Sequence, residues 1–187
     1  MHTGLVSLIA RLIAQKTSEP TTDEVPESVI VQGGQSQKPK HVVSADANYW
    51  LTPVKGDDMQ TAEEVLQTLL GEESIYAFGE KTPGRKRLKV GDRMCYYAAG
   101  KGVVAHAKVG SVPQKHLHPK VRHSDKYPWV FKVEDVELYL DEPIPVDAEM
   151  RSHLDAFKGR DPNKAWAWFV QATSRLTEQD FHALTQG

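Results

Sequence analysis

The chain has one cysteine, Cys95, in 187 residues. That excludes an internal disulfide framework and suits a reducing compartment, so a cytoplasmic location is expected. Long apolar runs are also missing: none reaches the roughly 18 to 20 residues needed to cross a bilayer, and no membrane partner is expected. The apolar patch from Leu5 to Ile13 has Arg11 within it and Lys16 close behind it rather than positive charge before it, and no small-residue cleavage site follows. A secretory leader has the opposite order, so the patch reads as a short amphipathic helix. An excess of charge of one sign is absent too, since the formal net charge is only −2. With 40% hydrophobic and 26% charged residues the chain has the composition of a globular protein, long enough for one ordinary domain and a tail.

What is present is an uneven distribution of charge. Between Gly79 and Lys132 stand thirteen lysines and arginines against three acidic residues, while the rest of the chain is acidic. Positive charge gathered in under a third of the length presents a basic face to polyanions without making the whole protein basic. Arg85-Lys86-Arg87 is the densest part of that face.

The organisation follows from turn and periodicity signals. Residues 1–47 read as a flexible tail and linker, with few large apolar groups between Thr17 and Ala47; such a tail suits a tether to another protein. The folded domain is expected over 48–187. Tyr49 to Pro53 reads as a first strand. Thr61 and Glu64 form a capping box for a helix that buries Val65, Leu66, Leu69 and Leu70 and ends at Gly71. Ile75 to Phe78, Arg93 to Ala99 and Val103 to Val109 read as strands, the last two joined by Gly100-Lys101-Gly102. The histidine-rich stretch Pro113 to Lys126 reads as an exposed loop. Trp129, Phe131 and Val133 alternate at odd positions, and Val136, Leu138 and Leu140 at even ones. The change of phase at Glu134-Asp135 predicts a bulge where the sheet bends. Asp147 caps a helix facing inward through Met150, Leu154 and Phe157, and Lys164 to Val170 reads as the last strand. Thr177 with Asp180 forms a second capping box, stapled by Leu176 and Phe181. Five or six strands with three small helices make an α+β fold built on a small, bent or closed mixed β-barrel with short peripheral helices.

Catalytic patterns are incomplete. Gly79 to Lys86 approaches a phosphate-binding P-loop, but Arg85 stands at the lysine position and no Ser or Thr follows Lys86. Cys95 lies within a strand pattern and reads as a buried structural thiol. His116, His118 and His123 have ligand-like spacing, but Lys115, Lys120 and Arg122 oppose a divalent cation there. No metal, cofactor or enzymatic activity is expected. A hydrolase using His106, His116 or His118 with Asp92 or Asp125, and a module binding protein or a small molecule, are the rival readings. By contrast, the cations at Lys81, Arg85, Lys86, Arg87 and Lys89 adjoin Tyr76, Phe78, Tyr96, Tyr97 and Trp129, the mixture that holds phosphates and stacks on bases. Of Tyr96 and Tyr97, neighbours on a strand, one must enter the core; the other is free to line a cavity.

Four motifs in order resemble the EVE domain, a member of the PUA-like superfamily of small bent barrels. They are Tyr49 to Pro53, Tyr76 to Gly79, Leu88 to Tyr97 and Phe169 to Thr177, within a similarity covering about Asn48 to Leu184. The resemblance implies a non-enzymatic reader that flips a modified base of DNA or RNA into an aromatic-lined pocket. It puts that pocket at Trp50, Thr52 and Pro53, Phe78 and Gly79, Tyr97 and Ala98, and Thr173 and Ser174. Many members carry tryptophan and asparagine where this chain has Phe78 and Glu80. Lys81, Arg85, Lys86, Arg87 and Lys101 are the expected phosphate contacts of a protein acting as a monomer.

Overall fold

A computed structural model describes residues 47–186. The tail and helix expected before residue 48 therefore lie outside the described residues, apart from Ala47. Seven strands form one mixed sheet: β1 (Tyr49–Val54), β2 (Ile75–Phe78), β3 (Arg93–Ala98), β4 (Gly102–Val109), β5 (Gln114–Lys115), β6 (Trp129–Leu138) and β7 (Ser174–Leu176). Their order is β2-β6-β4-β3-β1-β7, with the two-residue β5 beside β6. Only the β1–β3 pair is parallel among the strand pairs of the described residues.

The sheet curls into a half-barrel, and the phase change read in β6 is where it does so. Residues 129–132 of β6 pair with β2, whereas Val133 to Leu138 pair with β4. Between the Lys108–Glu134 and His106–Glu137 pairs β6 carries one extra residue, and Asp135 takes a positive φ of 48° there. A bulge of this kind adds twist and lets one strand serve two directions of a bent sheet.

Bending leaves both faces covered, which produces two cores. One holds Trp50, Met94, Tyr96, Val104, Phe131 and the leucines of the first helix. The other holds Tyr49, Leu51, Cys95, Tyr97, Phe169 and Phe181. Strand β3 is sandwiched between them and reads as an unbroken apolar run because neither of its faces meets water. Tyr96 and Tyr97 thus both enter cores, one each, and burial pushes the Cys95 thiol far above its ordinary value.

Helix α1 (Ala62–Leu66) starts on the expected box: Thr61 Oγ1 accepts from Glu64 N at 3.2 Å, and Thr61 N donates to Glu64 Oε2 at 2.7 Å. It does not stop at Gly71. It widens into a π-helical segment, Gln67–Glu72, whose Glu73 N donates to Thr68 O five residues back. The remaining helices are α2 (Ala148–His153), α3 (Ala167–Val170) and α4 (Glu178–Thr185). The stretch read as a last strand is a turn followed by α3, because Phe169 N bonds to Trp166 O and closes a helical turn. The second capping box is half formed: Thr177 accepts from Asp180 N, but the Asp180 carboxylate turns away to accept from Asp155 N and Ala156 N.

Candidate nucleic-acid interface

The Val90-Gly91-Asp92 turn fixes one side of the region. Asp92 is buried, and its carboxylate accepts from Asn48 N, Asn48 Nδ2, Trp50 Nε1 and Lys89 N at 2.8–3.0 Å. It therefore ties the start of β1 to the end of the basic loop. Gly84, with φ of 79°, lies against the Trp50 indole so closely that a Cβ would stand 2.5 Å from Cζ3. Trp50 is consequently a strut with 1% exposure, held on its edge and its polar atom, and not an open wall for a base.

The basic loop is partly consumed by the fold. Arg85 lies in a short 3-10 helix, Arg85–Arg87, with its guanidinium 3.9 Å above the Trp129 ring. It is 9% exposed, donates to Glu80 O and pairs with the Glu80 carboxylate. Glu80 is thus the hub here: it also accepts from Lys115 Nζ at 2.5 Å and Trp129 Nε1 at 2.9 Å. These donors hold its carboxyl below the usual range, with Lys115 the largest cause. Arg85, expected to touch phosphate, is a structural cation instead. Lys81, Lys86 and Arg87 remain exposed around a shallow hollow of about 230 Å³. Lys101 is exposed but paired with Glu63.

A larger cavity, about 440 Å³, lies elsewhere. Its floor and walls come from the end of β1 (Pro53, Val54), the π-helical turn (Thr68, Leu69), β2 (Tyr76, Ala77) and the loop ending at Tyr127. That loop is built rather than loose. Val121 is buried in the first core, His118 N donates to Ser124 Oγ at 2.8 Å, and Tyr127 N donates to His123 O at 3.0 Å. Lys55, Lys120, Arg122 and His123 stand around the opening. Asp57 spans it, accepting from Met59 N, Gln60 N and Arg122 Nη1 at 2.8–3.0 Å, with His123 at 3.6 Å. Those contacts keep the Asp57 carboxyl below its ordinary range, the Met59 N–H most of all.

Of the nine expected pocket residues, Pro53 alone lines this cavity. Thr52 and Thr173 meet as a buried hydroxyl pair at 2.7 Å, away from the cavity lining. Burial, with the Tyr127 phenol as a second cause, raises the Tyr76 pKa far above normal, so its O–H stays a neutral donor. Gly79 lies against Lys126 O and the Tyr127 ring, joining the basic loop to the cavity wall. Phe78 packs on Tyr76 and Phe131, Tyr97 meets Trp166 edge-on, and Ala98 is buried. Ser174 is half-buried, with a hydroxyl that lacks a partner among the described residues. Tyr127 was missed by the sequence reading; its signal was an aromatic beside a proline in an otherwise polar, basic loop.

Among the described residues, no group of three His, Cys, Asp or Glu side chains is placed to hold a metal, and no helix is long and apolar enough to cross a membrane. No protein-family model matches the chain, and no curated protein does. Solved structures that match include a YTH domain-containing protein, mmi1, in a complex with RNA. It is 12% identical over 77% of this chain and 82% of that chain, with a TM-score of 0.49. The YTH domain of Zygosaccharomyces rouxii MRB1, complexed with N6-methyladenosine RNA, is 13% identical over 80% and 91%, with a TM-score of 0.47. Protein Atu2648 from Agrobacterium tumefaciens is 16% identical over 75% and 92%, with a TM-score of 0.41. Identities and TM-scores this low assign neither family nor ligand to this chain.

Proposed function

We propose that this chain is a non-enzymatic, EVE-like module that holds a nucleic acid and takes one of its bases into the cavity beside Tyr76 and Tyr127. The observation that carries this reading is an aromatic-walled space of about 440 Å³ under a rim of Lys55, Lys120, Arg122 and His123. A base with its sugar fits a pocket of this size, and the rim stands where the adjoining phosphates would lie. The hydrophobic walls at Val54, Val65 and Leu69 favour a flat, weakly hydrated group, and an added methyl on the base would be accepted there. The exposed cations Lys81, Lys86 and Arg87 continue the positive surface past Gly79. The four motifs shared with the EVE domain support the same reading. Asp57 gives the base edge an acceptor once Arg122 turns to a phosphate.

The test is a binding series with single-stranded and duplex DNA and RNA that differ only in one modified base, at two salt concentrations. Tyr127→Ala is expected to cost about ten-fold in affinity, the loss of one stacked base. Affinity independent of salt, or a Tyr127→Ala protein that binds every strand as well as the unaltered chain, defeats the proposal. Equal affinity for all modifications reduces it to a reader of any exposed base.

A further inference from the structure

A second cationic and aromatic surface lies outside the cavity, in a part of the chain whose overall balance is acidic. Between Arg151 and Arg175 there are five lysines and arginines against two aspartates, together with Trp166 and Trp168. Each tryptophan carries an arginine over its ring. Arg151 sits 4.5 Å from the Trp166 centroid and Arg160 sits 4.7 Å from that of Trp168.

The two pairs differ in what they leave free. Arg151 is buried and bonds to Pro162 O at 2.9 Å and Val146 O at 2.6 Å, so it braces the loop from inside. Arg160 is exposed, and Trp168 remains 44% exposed although it leans on Phe157 with 5.1 Å between centroids. The pair presents an exposed indole and a guanidinium beside it, the two side-chain planes on which a base can stack. Braced as it is by Phe157, Phe169 and the Arg160 N to Phe157 O bond, it cannot fold inward. Lys164, also exposed, adds charge beside it.

Its position links it to the cavity. The chain passes from Trp168 through α3 to Thr173, which bonds to Thr52, the residue before Pro53 on the cavity wall. Five residues span at most about 18 Å, so the Trp168 platform lies within a few nucleotides of the cavity. We infer that Trp168 and Arg160 form a stacking platform for a nucleotide flanking the one held in the cavity, so that the protein grips a single strand at two points. Bases stack on aromatic faces and on guanidinium planes alike, which makes this contact tolerant of sequence.

The inference rests on the nucleic-acid reading above, and the test separates the two. Fluorescence anisotropy is measured with labelled single-stranded RNA and DNA, each as a trinucleotide and as a strand of about ten nucleotides. The readout is the ratio of long-strand to trinucleotide affinity. Trp168→Ala is expected to lower that ratio about ten-fold and Arg160→Ala about three-fold, on RNA, DNA or both. An unchanged ratio in both variants overturns the platform and leaves the cavity reading standing. No binding of any strand by the unaltered chain removes both. Arg160→Ala removes no buried group, so its result stands even if Trp168→Ala loosens the loop.

Discussion

The two basic loops, 79–89 and 113–127, look alike in sequence and do different work. In the first, Arg85 is buried above Trp129 and its charge is spent on Glu80. In the second, Val121 anchors the loop, and Arg122 and His123 share the exposed Asp57 carboxylate at the edge of a cavity beside Tyr127. A buried cation packed on an aromatic and paired with a carboxylate is part of the fold. A cation held only in a solvent-exposed pair at an opening can exchange its carboxylate for a ligand's phosphate. Charge density alone does not separate the two, because it counts charges without asking what already neutralises them.

The comparison breaks most severely at Asp92, where the first loop is moored. Asp92→Ala strands four N–H donors and is expected to cost about 3 kcal/mol, seen as a lower midpoint in urea unfolding. Arg85→Ala comes next, with a stability loss of about 2 kcal/mol from the desolvated stack on Trp129. If Arg85→Ala instead keeps its thermal midpoint and loses only binding, the first loop is a ligand loop and the contrast fails. Arg122→Ala should do the reverse: unfolding unchanged, affinity for nucleic acid down three- to five-fold, and the slope of log affinity against log salt shallower by about one.

The smallest effect concerns pH. The Asp57 pKa is depressed in the folded state, first by the Met59 N–H, then by the Gln60 N–H, Arg122 and His123. A depressed carboxylate contributes stability above its ordinary pKa and loses it as pH falls through the lower folded value. The clasp across the cavity should therefore hold at neutral pH and open only in acid. Amide shifts of Met59 and Gln60 followed by NMR would show this; a transition close to neutral pH would show that Asp57 is not the group that opens the clasp.

Much of the fold was legible because local rules governed it. The Thr61 box, the Asp147 cap, the glycines at 100 and 102 and the bulge at Asp135 all form as read, since each depends on a few adjacent residues. Trp166 and Trp168 misled because alternation over a few residues also fits a turn and a short helix, and no sheet edge accepts that stretch. At the interface Thr52 adjoins Pro53 and Phe78 lies two residues from Tyr76 on the cavity wall, whereas Tyr97, Ala98, Thr173 and Ser174 lie on segments that do not line it. On a strand a step of one changes the face, so a small error in position moves a residue from cavity to core.

Composition, caps and periodicity by themselves determined most of the central strands, the first and last helix starts, the bend in the sheet and the concentration of positive charge. Which cations are spent and which are free was decided only by tertiary structure. The sheet's curl brings Trp129 under Arg85 and Glu80 beside Lys115, residues 44 and 35 positions apart in the chain. Neutralisation, stacking and burial depend on distance in space, and no local pattern in the chain encodes those long-range pairings.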